Sequence, residues 1–302
     1  MERSLVIALG ALISLSAAYA APVRPPITSV SHLSVYTADP AASEAFYVHD
    51  LGAVKRDDPE NPKGARYYFN AVQFVEVLPL PAGWTSVSRF DHAAFNTTDA
   101  KALRKYIAAN YNAAKPGKLR KGSDGSVWFD IADPEGNTIQ FVQPPANPEP
   151  VPVNPLSNHI IHLGFIIRDR AKEDSFFRAV LGFRPYWFGG MKDDVPQWIS
   201  QQVPDGNDWL EYMVVSDPTM VSQATSGVLD HFSFGVANIE ETVTQLYREG
   251  RMPDKFDGPK IGRDSKWQFN SYDPDGTRAE IMEFQPVAKP CCSPFTADSP
   301  TK

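Results

Sequence analysis

Four of the chain's six histidines fall at matching places in two stretches. His32-Leu33-Ser34-Val35 aligns with His162-Leu163-Gly164-Phe165, and Asp91-His92 aligns with Asp230-His231. Each stretch also carries a glutamate inside an apolar run, Glu76 in Val72–Val77 and Glu211 in Trp209–Met213. A carboxylate among apolar neighbours is costly unless it is paired or bound to a metal. After a later Asp-Pro turn come Gln140 in one copy and Glu280 in the other. The first copy therefore offers His32, Glu76, His92 and Gln140, and the second offers His162, Glu211, His231 and Glu280. Imidazole with carboxylate suits Zn, Ni, Co, Mn or Fe(II). A single strand histidine is more often structural than ligating, so the weight lies in the joint pattern. His49 and His159 stand outside it and read as structural. Because Gln140 carries no charge, one divalent ion is expected in the second copy, and the first is expected to be a second or vestigial set.

Strand alternation places these groups. In Asp230–Val236, the Phe and Val side chains take one face and His231 shares the other with Ser233 and Gly235. His162 likewise shares a face with Gly164, His32 with Ser34, and His92 with Ala94. Small neighbours predict open space beside each imidazole, as in a cup. The rest of the repeat keeps register. Asp39 and Asp169 follow the first histidines, then Phe46 and Phe176, then Leu51-Gly52 and Leu181-Gly182. Asp133-Pro134-Glu135-Gly136 matches Asp273-Pro274-Asp275-Gly276. Within each copy a strand leads into a helix twice: Val30–Thr37 into Ala41–Val48, Asp91–Asn96 into Asp99–Asn110, Ile160–Arg168 into Lys172–Val180, and Asp230–Ala237 into Ile239–Glu249. Apolar residues at Ile239, Val243 and Leu246 have helical spacing, and strand-like segments follow each helix.

The chain has 302 residues, 42% hydrophobic and 22% charged, which suits two domains with real cores. A net charge of −7 without a basic stripe argues against nucleic acid as a partner. Residues 1–20 read as a secretory signal: Arg3, an apolar run from Leu5 to Leu15, then Ala18-Tyr19-Ala20. A periplasmic or secreted protein is expected, with no integral membrane segment once that signal is removed. The first domain spans 27–143, the second 157–286. The Pro-rich linker 144–156 is extended and semi-rigid. The tail 287–302 reads as poorly ordered. Its adjacent Cys291 and Cys292 cannot staple distant segments and are too isolated for a metal site.

The His162 strand, the Phe176-Phe177 helix ending in Leu181-Gly182-Phe183, the Asp230-His231 strand and the Asp273–Gly276 turn into Glu280 resemble the vicinal oxygen chelate superfamily. That superfamily includes glyoxalase I, methylmalonyl-CoA epimerase, extradiol dioxygenases and bleomycin- and fosfomycin-resistance proteins. The resemblance covers nearly all of the chain after the signal. It implies an α+β fold: two domains of paired β-α-β-β-β modules forming open, curved sheets around a metal that chelates substrate oxygens. Extradiol dioxygenases have ligands like His162, His231 and Glu280, with a further His between the first two and a Tyr shortly before the Asp-Pro turn. Here no His lies between His162 and His231, and Asn270 stands at the Tyr position. The glyoxalase and epimerase branch uses four ligands, like His162, Glu211, His231 and Glu280, one glutamate doubling as a base, a role Glu211 fits. Glyoxalase I itself needs cytosolic glutathione, which the signal argues against. The expected activity is therefore lyase- or isomerase-type proton transfer on a small oxygen-chelating substrate, with Glu211 catalytic. An Fe(II) dioxygenase acting on a phenol is the second reading, and a non-catalytic binding or resistance protein the third. Tyr186, Trp187, Phe188, Trp198 and Trp209 could line a pocket for a ring. Substrate, oligomeric state and the pairing of modules are left open by the sequence.

Overall fold

The computed structural model describes residues 23–154 and 156–301. The expected signal, residues 1–20, lies outside the described residues. The first half contains β1 (Ile27–Thr37), β2 (Val54–Asp57), β3 (Ala65–Tyr68), β4 (Phe74–Pro79), β5 (Phe90–Thr97), β6 (Arg120–Lys121), β7 (Val127–Ala132) and β8 (Thr138–Gln143). The second half contains β9 (Ile160–Ile167), β10 (Arg184–Gly189), β11 (Trp198–Gln202), β12 (Trp209–Val214), β13 (His231–Val236), β14 (Lys260–Ile261), β15 (Trp267–Tyr272) and β16 (Arg278–Glu283). They form two curved eight-stranded sheets, ordered β2-β3-β4-β1-β5-β8-β7-β6 and β10-β11-β12-β9-β13-β16-β15-β14. Modules therefore pair within each half, so His162 and His231 share one sheet, as do His32 and His92. This is the paired-module α+β fold that the resemblance implied.

The repeated residues have local structural work. Asp39 accepts from the Ala41 and Ala42 amides and caps α1 (Pro40–Glu44), which continues as a π-helical turn over Ala45–Asp50. Asp169 does the same for α3 (Arg170–Phe177), while Asp99 caps α2 (Ala100–Asn110), between them in the chain. Two further helices follow, α4 (Gln223–Leu229) and α5 (Ile239–Arg248). α4 was not expected from the sequence, which shows no apolar stripe there; the Ser222 cap and its contact with β9 hold it. Gly136 and Gly276 adopt φ of 92° and 95°, the left-handed region that these turns require.

One face of each sheet meets the helices and the other half. Leu33, Phe95, Phe141, Leu163, Phe165, Phe232 and Ile281 belong to one continuous core. Across the halves, Phe69 meets Phe234 with ring centroids 4.5 Å apart, Tyr111 meets Phe176 at 4.7 Å, and Phe95 meets Phe183 at 5.2 Å. Fully burying such a ring stabilises by roughly 1.5–3 kcal/mol. The Asp-Pro turns, expected only to reverse the chain, also dock the halves. The Glu135 carboxylate accepts from the Arg168 and Asp169 amides; Asp275, its counterpart, accepts from the Ala38 amide and the Thr37 hydroxyl. Glu173 is buried beside Asp133 and Glu135, without a hydrogen-bond partner among the described residues. Burial, reinforced by Asp133 and Glu135, pushes its carboxyl up to about 9.

The tail differs from expectation. It forms a strap along β10: Thr296 donates its amide to the Tyr186 carbonyl (3.0 Å), and the Ser299 hydroxyl meets the Tyr186 hydroxyl (2.6 Å). Trp187 donates its indole N–H to the Cys291 carbonyl, and Cys291 and Cys292 are disulfide-bonded to each other. A polar, Pro-containing segment reads as loose because its partners lie about a hundred residues away. Among the described residues no helix is long and apolar enough to cross a membrane.

Candidate metal centre

The faces turned away from the shared core carry the eight candidate residues. In the second sheet, β9 supplies His162, β13 supplies His231, β12 supplies Glu211 and β16 supplies Glu280. Register puts them together: His231 lies opposite Gly164, Ser233 opposite both His162 and Glu280, and Glu211 beside Gly164. The Nε2 atoms of His162 and His231 are 3.0 Å apart. Glu280 Oε2 lies 3.2 Å from His162 Nε2 and 3.8 Å from His231 Nε2. These three donors form one buried cluster that could hold a metal ion. Glu211 stands at its edge, Oε2 3.6 Å from His231 Nε2 and Oε1 3.4 Å from the Ser200 hydroxyl.

The open space expected beside each imidazole is not what the structure shows at Gly164. The His231 ring fills it: a Cβ at residue 164 would fall 2.1 Å from its Cε1. The small residue is there to admit the ring. His231 Nδ1 lies 2.8 Å from the Leu229 carbonyl. An N–H donated there leaves Nε2 bare toward Glu280, as a ligating imidazole requires. His162 stacks on Trp209, centroids 4.6 Å apart, and its Nδ1 has no partner among the described residues.

Charge states fit the donor set. Burial, then Arg278 and His162, hold His231 well below its ordinary range; burial also lowers His162. Both are then neutral with lone pairs to share. Burial would raise Glu280, but Arg278 and His162 override it and keep the carboxyl strongly depressed, hence ionised. Burial and the neighbouring Glu280 push Glu211 up to about 8. The cup thus pairs an ionised carboxylate with one poised to carry a proton, the separation that acid–base chemistry uses.

The first cup assembles His32, Glu76 and His92 similarly, with Nε2 atoms 2.8 Å apart. It also holds Arg66, nearly fully buried, whose Nε lies 3.5 Å from Glu76 Oε1 and 3.2 Å from Asp58 Oδ1. Gln140 is drawn away, its Nε2 donating to Glu60 (3.0 Å) and Asp130 (3.1 Å). Burial opposes charge on His92, yet the Asp91 hydrogen bond and Glu76 raise it to about 9. A protonated imidazole and a guanidinium beside Glu76 compete with any cation for its carboxylate.

Cross-strand register identifies what sequence reasoning missed. Arg66 lies opposite Glu76, and Ser200 opposite Glu211, so these two occupy equivalent places. Asp130 and Asn270 correspond likewise, opposite Gln140 and Glu280. Around the second cup, a cavity of about 160 Å³ is lined by Tyr186, Trp187, Trp198, Trp209 and, from the strap, Phe295. Phe188, grouped with these aromatics from the sequence, packs on the main core instead. Of the off-pattern histidines, His49 pairs with Asp50 and His159 with Asp208, both at 2.7 Å.

No family model matches the chain, and no curated sequence matches it. Solved structures do. The 2,3-dioxygenase LapB from Pseudomonas sp. KL28 is 16% identical, with a TM-score of 0.64 over 89% of this chain and 97% of that one. Homoprotocatechuate 2,3-dioxygenase from Brevibacterium fuscum, in an anaerobic complex with 3,4-dihydroxyphenylacetate, is 17% identical, with a TM-score of 0.64 over 92% of this chain and 84% of that one. The enzyme of the same name from Arthrobacter globiformis is 17% identical, with a TM-score of 0.63 over 86% and 80%. The fold is that of these extradiol dioxygenases and of the vicinal oxygen chelate superfamily.

Proposed function

We propose that the second half is an Fe(II)-dependent oxygenase of the extradiol type, acting on a phenolic substrate with adjacent oxygens. The observation that carries this reading is the buried trio His162, His231 and Glu280, two neutral imidazoles and one ionised carboxylate on one face of a curved sheet. Two histidines with one carboxylate and open positions are the ligand set of non-haem Fe(II) oxygenases. The neighbouring folds are ring-cleaving enzymes, which supports this reading over the proton-transfer activity favoured from sequence alone. When bound, the metal would supply a Lewis acid for the substrate oxygens and a place for dioxygen.

The chain's own residues would do the rest. The Leu229 carbonyl holds the His231 tautomer, and Trp209 fixes the His162 ring by stacking. Glu211, at the edge of the donor cluster, would take up a phenolic proton in its carboxylate form, and the Ser200 hydroxyl donates to that carboxyl. Glu211 thereby replaces the acid–base His and Tyr that sequence comparison found absent. The aromatic walls keep water from the reacting oxygens. The test is metal analysis of the purified protein together with oxygen uptake on catechol. Iron with catechol-dependent uptake is the expected result; Zn, Ni, Co or Mn without uptake overturns it.

One observation favours a second reading. Glu211 Oε2 lies close enough to His231 to join the ligands, giving the four-ligand set of proton-transferring relatives. Under that reading Glu211→Gln abolishes metal binding as well as activity. Under the oxygenase reading it lowers activity while metal content persists. We also place the working protein in the periplasm or outside the cell, on the strength of residues 1–20; fractionation of cells expressing the full chain tests this.

A further inference from the structure

We propose that the first half carries a binding site of its own, beside its cup, for a small organic cation with N–H donors, of the alkylguanidinium or alkylammonium kind. The site is a cavity of about 310 Å³, roughly twice the ~150 Å³ that takes one benzene. Its floor is the face of the first sheet around Phe74, and its roof is the Pro-rich linker, through Pro144, Pro145 and Pro148. Arg56 fastens that roof by donating to the Glu149 and Pro150 carbonyls.

The second half fills the corresponding space with its own side chains. Ser31, Asn96, Val142 and Pro144 line the cavity, and at the matching places stand Ile161, Gly235, Met282 and Phe284. Ile161, Met282 and Phe284 pack into one apolar cluster against the strap's Phe295. A Cβ at Gly235 would fall 2.2 Å from the Phe284 ring and 2.7 Å from Ile161. The first half leaves this place open and lines it with polar groups. Two buried acceptors on that lining are unused. Asn96 is 3% exposed and Asp58 4%, and neither Asn96 Oδ1 nor Asp58 Oδ2 has a hydrogen-bond partner among the described residues. Such groups nearly always find one. The other orphaned carbonyl and carboxylate oxygens, on Gln140, Glu173, Asp174, Gln201 and Asn270, line neither this cavity nor the one at the second cup. Arg66 Nε, the orphaned donor on the lining, already has Asp58 Oδ1 at 3.2 Å and Glu76 Oε1 at 3.5 Å.

Charge sets the sign of the guest. Asp57, Asp58, Asp124 and Glu149 line the cavity against Arg56 and Arg66. Behind them the ion pairs run on to Glu60, Glu76, Asp91 and Asp130, against His92 and Arg120. Acids outnumber cations two to one even with His92 counted as charged. Arg56 and Arg66 already cover the Tyr68 and Phe74 rings, at 4.6 and 4.5 Å, so oxygens rather than stacking must hold the guest. A guanidinium or ammonium group brings both the donors and the charge.

Calorimetry on the full chain with n-butylguanidinium and its neutral near-isostere n-butylurea tests this. Neither probe carries adjacent oxygens, so the outcome does not depend on the metal or on oxygen uptake. One butylguanidinium should bind per chain, at least about tenfold more tightly than the urea, the scale of one charge-assisted hydrogen bond. Asp124→Asn removes a charge from a part-exposed side chain and should weaken the cation several-fold. Ser126→Lys puts an ammonium on the cavity wall, at the place of Lys266 in the second half, and should abolish binding. His231→Ala should bind the cation as the wild type does. Equal affinity for cation and urea, or binding of neither, overturns the proposal. Binding lost in His231→Ala, or unchanged in either cavity variant that folds by circular dichroism, also overturns it, because the cation would then sit elsewhere.

Discussion

The two cups begin from the same four strand positions and end as opposites. In the second, Ser200 faces Glu211, and the guanidinium of Arg278 meets Glu280 at its Oε1 while Oε2 faces the two imidazoles. In the first, Arg66 faces Glu76 and its guanidinium sits among Glu76, Asp58 and Glu60. Asp130 and Glu60 then hold Gln140, where the second cup presents an ionised Glu280. The first cup is built around an internal guanidinium; the second turns two imidazoles and a carboxylate toward one another. Two cups with the same strand donors are thus told apart by their cross-strand neighbours.

The contrast is easiest to break at the ligands themselves. We predict that His231→Ala or Glu280→Gln removes bound metal altogether, a loss beyond a hundredfold in affinity, whereas His32→Ala leaves the metal content of the unsubstituted protein unchanged. Elemental analysis after gel filtration decides this, and an emptied second site in the His32 variant would refute it.

Arg66→Ser gives the first cup the side chain that the second carries at Ser200. Removing one partner of a buried ion pair costs roughly 3–5 kcal/mol. Urea unfolding should show a loss on that scale, while Ser200→Ala stays within about 1 kcal/mol. A near-neutral Arg66→Ser would mean that Arg66 does not hold the first cup together.

Much of this was legible in the sequence. Matched spacings found both histidine pairs, and strand alternation put them on one face. What stayed hidden depends on neighbours across the sheet. Arg66 and Ser200 sit in short strands whose register only the folded sheet fixes, so nothing in either local run marked one cup as plugged. The strap was missed because its partners come from β10, about a hundred residues away.

A subtler probe is Gly164→Ala. Its Cβ would collide with the His231 ring, at the place where Ser34 stands opposite His92 in the first half. We expect metal affinity to fall about 10–100-fold, as for losses of ligand orientation, with folding intact by circular dichroism. Unchanged metal affinity would show that the ring has another place to stand.

The smallest expected effect lies between the halves. Glu173 titrates near 9 in the fold and near 4.5 when unfolded. The folded chain then binds more protons between those values, so stability falls as pH rises through that window. Glu173→Gln should do little at pH 4 and stabilise by about 1–2 kcal/mol near pH 8, on the scale of roughly 1.4 kcal/mol per pH unit. Melting curves across pH test this; a gain already present at pH 4 would point to packing rather than charge.

The reciprocal docking of the Asp-Pro turns has a thermodynamic consequence. Each half holds the turn that leads into the other's first helix, and one core runs through both, so the halves are expected to unfold together. Any ion captured by His162, His231 and Glu280 is then linked to the whole chain: its binding free energy also opposes unfolding of residues around His32, in a half that never touches it. The plugged half behaves as a permanent subunit, a partner that mass action cannot dilute away.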